Sequence, residues 1–117
     1  MVNAQTDKMS VLLTLIVPRN LADSLADELM QIEQISGFTQ DEVLGFSRRP
    51  LAMSTAEQVA GRQQMSRFEL LLVSGDEQKV LAQLARHKTG QKTHFSIMSV
   101  LQHQHGATFT ANEEATR

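Results

Sequence analysis

The sequence predicts an α+β domain in which a four-stranded antiparallel sheet carries two helices on one face. Three observations predict it. Two near-continuous apolar runs, SVLLTLIV at 10–17 and RFELLLV at 67–73, read as strands at the centre of a sheet. Each is followed by a segment of helical period and then by a further strand-like stretch. The order, strand–helix–strand twice over, is that of two split βαβ halves, and right-handed crossovers put both helices on the same side. The expected architecture is a ferredoxin-like βαββαβ sandwich.

Each element has its own signal. Residues 1–9 are polar at the start and are expected to be a flexible terminus, with the domain spanning 10–105. The first strand stops at Pro18, and Asn20 is placed to cap a helix whose Leu21, Leu25, Leu29 and Ile32 form one packing stripe. Asp23 and Asp27 lie toward the positive end of that helix's dipole, and Ser36-Gly37 closes the unit. The strand over 38–47 is weaker, because Asp41 and Glu42 are poor strand formers and point to an edge or a turn.

From 48 to 65 the chain reads RRPLAMSTAEQVAGRQQM, with no period and few large apolar residues. A loop of that length in a compact domain is more often functional than structural. After the strand at 67–73, Ser74-Gly-Asp-Glu77 has capping-box spacing. Val80, Leu81 and Leu84 then mark a helical face, and the helix is expected to end near Gly90. In HFSIMSVLQ (94–102), Phe95, Ile97, Ser99 and Leu101 alternate with Ser96, Met98 and Val100. Both sets include apolar groups, so both faces are expected to be covered. Residues 106–117 are polar and acidic and read as a flexible tail.

Composition narrows the function classes. The 117 residues suit one domain, and 41% hydrophobic with 21% charged residues is ordinary globular usage. A net charge of −2 argues against a nucleic-acid partner, which needs a basic excess to displace phosphate counterions. The absence of cysteine excludes disulfides, thiolate zinc sites and Cys nucleophiles. The apolar run Val11–Val17 is too short to cross a bilayer, and the N-terminus lacks a signal-peptide pattern, so a cytoplasmic protein without membrane insertion is expected.

Residues 37–49, GFTQDEVLGFSRR, narrow the fold further. Gly37, Thr39, Glu42, Val43, Gly45, Phe46 and Arg48 stand in an order that resembles the segment entering the long T-loop of the PII signal-transduction proteins. That family's loop falls where 49–65 fall here, and its B-loop Thr-Gly is matched by Thr89-Gly90. The resemblance covers roughly residues 10–102 and is strongest to a small bacterial PII-like family of unknown function. It implies a trimer with effectors in clefts between subunits and a nitrogen-regulatory type of signalling. It also implies a protein partner engaged through the loop, such as a membrane transporter, since members of that group tend to be encoded beside heavy-metal efflux pumps.

Three departures limit what carries over. There is no Tyr for uridylylation, and KTGQKTHF has a single glycine where the family's B-loop is glycine-rich. Together with the missing arginines in VLQHQH (100–105), that weighs against ATP binding of the PII type, because backbone cradling of phosphate needs freely oriented N–H groups. The expected effector and partner residues are Gly45, Phe46, Arg48, Arg49, Arg62, Lys88, Thr89, Gly90 and Lys92. Arginine forks suit carboxylates and phosphates, but the same residues also read as solvated loop positions and a helix stop.

His103 and His105 would point to the same side of a strand, and with further ligands would suit a divalent metal; Met53 and Met65 are thioethers suited to cuprous ion. This alternative reading is a metal-response accessory protein of CutA-like fold, and the cofactor is left unassigned between the two. No nucleophile elbow, Walker loop or His-Glu-x-x-His helix is present, so a non-enzymatic protein is expected. Asp41 and Glu42, as strand neighbours, face opposite ways and cannot share a proton. A sheet with one helical face leaves the other apolar face open, and a homo-oligomer is the expected remedy.

Overall fold

The computed structural model describes residues 9–47 and 61–104. Strand β1 (Ser10–Pro18) leads through a single 3-10 turn (Arg19–Leu21) into helix α1 (Ala22–Leu29). Strand β2 (Thr39–Gly45) and strand β3 (Gln63–Val73) follow, then helix α2 (Asp76–Leu84), a one-turn helix α3 (Lys88–Gln91) and strand β4 (His94–Val100). The strands form one four-stranded sheet in the order β2-β3-β1-β4, and every neighbouring pair is antiparallel. The expected βαββαβ sandwich is the architecture observed.

Register puts the apolar runs to work. Leu13 lies opposite Leu70 and Leu15 opposite Phe68, so one face of the two central strands is a continuous apolar surface. Val11, Leu13, Leu15 and Val17 are buried there with Phe68, Leu70 and Leu72. Ala22, Leu25 and Leu29 of α1, Ile32 beyond it, and Val80 and Leu84 of α2 close the layer above. Phe38 tilts against Phe68 with ring centroids 5.8 Å apart, an arrangement aromatic quadrupoles favour.

Several local expectations differ from the structure. Asn20 sits in the 3-10 turn and supplies no side-chain cap; the residue before α1 is Leu21. β3 starts at Gln63, not near 67, because Gln63, Gln64 and Met65 pair with Gly45, Leu44 and Val43, and Met65 also faces Pro18. β2 pairs with all three, and β1 with Met65 as well, which outweighs the weak strand propensity of the glutamines. Met65 is therefore a strand residue.

The box expected at 74–77 forms in one direction: Glu77 Oε1 accepts from the Gly75 N–H at 2.6 Å, and Gly75 rather than Ser74 precedes the helix. α2 ends at Leu84, not near Gly90; His87 is extended, and Gly90 lies inside α3 without the positive φ of a helix-stop glycine. β4 ends at Val100, and neither of its faces is covered within the chain: Phe95 and Met98, which point opposite ways, are both exposed.

Candidate functional site

The pairing of β2 with β3 builds the base of the long connection. Gly45 lies opposite Gln63, and a Cβ there would come within 3.1 Å of Met65 Cγ. Phe46 follows with 72% of its surface exposed, so it makes no buried anchor within one chain. Arg62 is exposed one residue before β3. Arg48 and Arg49 lie outside the described residues, as do 50–60 with Met53.

A polar network that sequence reasoning missed ties this base to β1. Ser66, fully buried, donates to Glu42 Oε2 at 2.6 Å. Arg19 donates from Nε to the same oxygen at 3.1 Å and from Nη1 to Gln64 Oε1 at 3.0 Å. One guanidinium thus grips both legs of the connection. The only sequence signal was the strand alternation of β2 and β3, which puts Glu42 and Ser66 on one face once their register is known. On the other face Arg67 forks onto Asp41, with Nε–Oδ1 at 3.1 Å and Nη2–Oδ2 at 2.7 Å. That hydrogen bonding, and then the Asp41 charge, raise the Arg67 pKa. Asp41 and Glu42 do face opposite ways.

The turn before β4 is built differently from a phosphate cradle. The N–H groups of Gln91, Lys92 and Thr93 donate to the carbonyls of His87, Thr89 and Gly90. Thr93 Oγ1 adds a bond to the Thr89 carbonyl at 2.8 Å. Those amides are used internally, while Lys88 and Lys92 project from an exposed turn whose Thr89 and Gly90 are half-buried. Gly90 has a packing role: a Cβ there would run into the Leu84 carbonyl oxygen.

Topology relates the two groups. The end of β2 (Gly45), the start of β3 (Gln63), the end of β1 (Pro18) and the start of β4 (His94) all lie at one end of the sheet. The loop base and the 88–92 turn therefore share that end but sit on opposite edges. Three strand spacings separate them, about 14 Å.

The histidine pair is not assembled as expected. His103 lies beyond β4, with Nε2 at 3.0 Å from Ser10 Oγ, so the same-side strand geometry does not apply; His105 is outside the described residues. Among the described residues no three His, Asp or Glu side chains converge as metal ligands. No helix among them is long and apolar enough to cross a membrane.

The open sheet face carries Leu12 and Ile16 of β1, Leu71 and Val73 of β3, and Met98 of β4. Met98 is 63% exposed, and Leu71 and Val73 about 40%.

An antiparallel sheet in this order, two helices on one face and a long β2–β3 connection define a PII-like fold. Solved structures bear this out: a PII-like signalling protein from Thermus thermophilus matches at 15% identity and TM-score 0.56, over 80% of this chain and 87% of its own. The Bacillus subtilis GlnK–ATP complex matches at 10% identity and TM-score 0.57, over 79% and 82%. The chain itself belongs to the DUF3240 family, proteins of unknown function, whose profile matches residues 7–107. A DUF3240 protein from Shewanella baltica is similar at 25% identity and TM-score 0.65, covering 84% of this chain and 97% of that one. No curated protein matches the sequence.

Proposed function

We propose that this protein is a PII-like regulatory module without enzymatic activity. It acts as a ring of three copies that binds a small anionic effector between subunits and presents the 48–62 segment, the part of the expected 48–65 loop that precedes β3, to a protein partner. The observation that carries the reading is the placement of the two candidate half-sites at one end of the sheet but on opposite edges. Within one chain they do not meet. A ring that sets the β2 edge of one copy beside the β4 edge of the next brings Gly45, Phe46 and Arg62 together with Lys88, Thr89, Gly90 and Lys92. The same association covers Phe46, Phe95, Met98 and the open sheet face, whose exposure a monomer would have to tolerate.

In this reading Lys88, Lys92 and Arg62 supply charge to the anion, because the amides of Gln91, Lys92 and Thr93 are already engaged. Arg48 and Arg49 meet the partner, a membrane transporter being the candidate. The effector acts by differential affinity: it shifts the loop only as far as it binds one arrangement better than another. A thermal-shift panel of nucleotides, 2-oxo acids and bicarbonate tests the site. An anion that binds raises the melting temperature, and the shift disappears in Lys88→Ala/Lys92→Ala. A panel in which no anion moves the transition removes the effector reading.

A further inference from the structure

The two outer strands are matched as partners for each other. Among the described residues β2 pairs only with β3 and β4 only with β1, so each keeps one edge of backbone N–H and C=O groups with no strand beside it. β4, HFSIMSV, has no proline, bulge or lysine to discourage pairing along that edge. Both strands are seven residues long. Every neighbouring pair in the sheet is antiparallel, so β2 and β4 run in opposite directions, as an antiparallel pair requires. Their charges are complementary: β2 carries Asp41 and Glu42, whereas 86–100 carries Arg86, Lys88 and Lys92 and no acid.

Register decides how two such edges meet. Across the sheet, Asp41 of β2 is level with Arg67, Ile16 and His94, the first residue of β4. β2 therefore extends four residues past the start of β4, from Asp41 to Gly45, or about 13 Å. Two copies standing level would pair only 39–41 with 94–96 and leave the rest of both edges bare. A copy displaced along the strands by those four residues pairs all seven, with Gly45 opposite His94 and Val43 opposite Ser96. Leu44 then meets Phe95; both lie on the helix side of the sheet and both are about half exposed in one chain. The same displacement sets the loop base beside the strand that the 88–92 turn leads into, as the effector site requires.

We propose that β2 of each copy and β4 of the next form one antiparallel ladder in this displaced register, within the three-copy ring on which the pairing depends. Repeated three times, the displacement gives twelve strands a shear of twelve. That is the ratio of the closed eight-stranded barrel of shear eight, whose strands tilt by about 36°.

The sequence contains no cysteine, so introduced pairs report the register without background. Leu44→Cys/Phe95→Cys is expected to join chains under mild oxidation into covalent dimers and trimers on a denaturing gel, because opposed residues of an antiparallel pair lie within disulfide reach. Gln40→Cys/Phe95→Cys reports the level arrangement, in which those two positions would be opposed. In the displaced one they are about 13 Å apart and stay unlinked. Within one chain the two edges are three strand spacings apart, so no link forms there. All three positions are exposed, and their substitution leaves the core intact. Linking through Gln40→Cys alone, equal linking of both pairs, or no link in variants that keep a three-chain mass overturns the displaced ladder and leaves the ring standing. A wild-type mass of one chain removes both.

Discussion

Gly90 and Ser66 are the two residues whose surroundings leave least freedom. At Gly90 the obstacle is a backbone carbonyl, that of Leu84, which cannot swing aside as a side chain could. Gly90→Ala must therefore push α3 away from α2, with an expected loss of about 2–4 kcal/mol in chemical denaturation. Ser66 is the one buried polar residue of the described core, and its hydroxyl is satisfied by Glu42. Ser66→Ala is expected to cost about 1 kcal/mol. Arg19→Ala removes two hydrogen bonds but from a half-exposed side chain, where water substitutes and salt screens, so its effect on stability is expected to be smaller than that of Ser66→Ala. A denaturation midpoint that falls more for Arg19→Ala than for Ser66→Ala would show that the guanidinium, not the buried hydroxyl, holds the loop base.

At the level of elements, stability rests on β1 and β3, which bury one face against the helices, while β2 and β4 are edges joined on one side each. Phe68 stands at the middle of β3, fully buried and in contact with Phe38. Phe68→Ala is expected to cost about 3–5 kcal/mol in the same measurement. The two central strands and the stripe Leu25, Leu29 and Ile32 were legible in the sequence because apolar pattern and burial report the same quantity. The β3 start and the α2 end were not: Gln63 and Gln64 join the sheet through backbone pairing to β2, and Gly90 is fixed by contact with a residue in another helix. Neither cause leaves a local sequence pattern. The candidate site was legible as two segments, Gly45–Phe46 and 88–92. The network of Arg19, Glu42, Ser66 and Gln64 depends on register across three strands and was not.

For the whole molecule, the decisive feature is what one chain leaves uncovered. Leu71, Val73 and Met98 on the open face, Phe95 on the opposite side of β4, and Phe46 beyond β2 are all exposed. A charge placed among them is expected to prevent association while leaving the helix-side core untouched, so Leu71→Asp should yield a folded single chain. The mass of the wild-type protein in solution, measured by light scattering on the eluting peak, tests the central claim most directly. One chain is 13.0 kDa, and the account predicts three chains, roughly 39 kDa, with Leu71→Asp eluting as one. A wild-type protein that elutes at the mass of one chain would contradict it, because the two halves of the effector site then never meet.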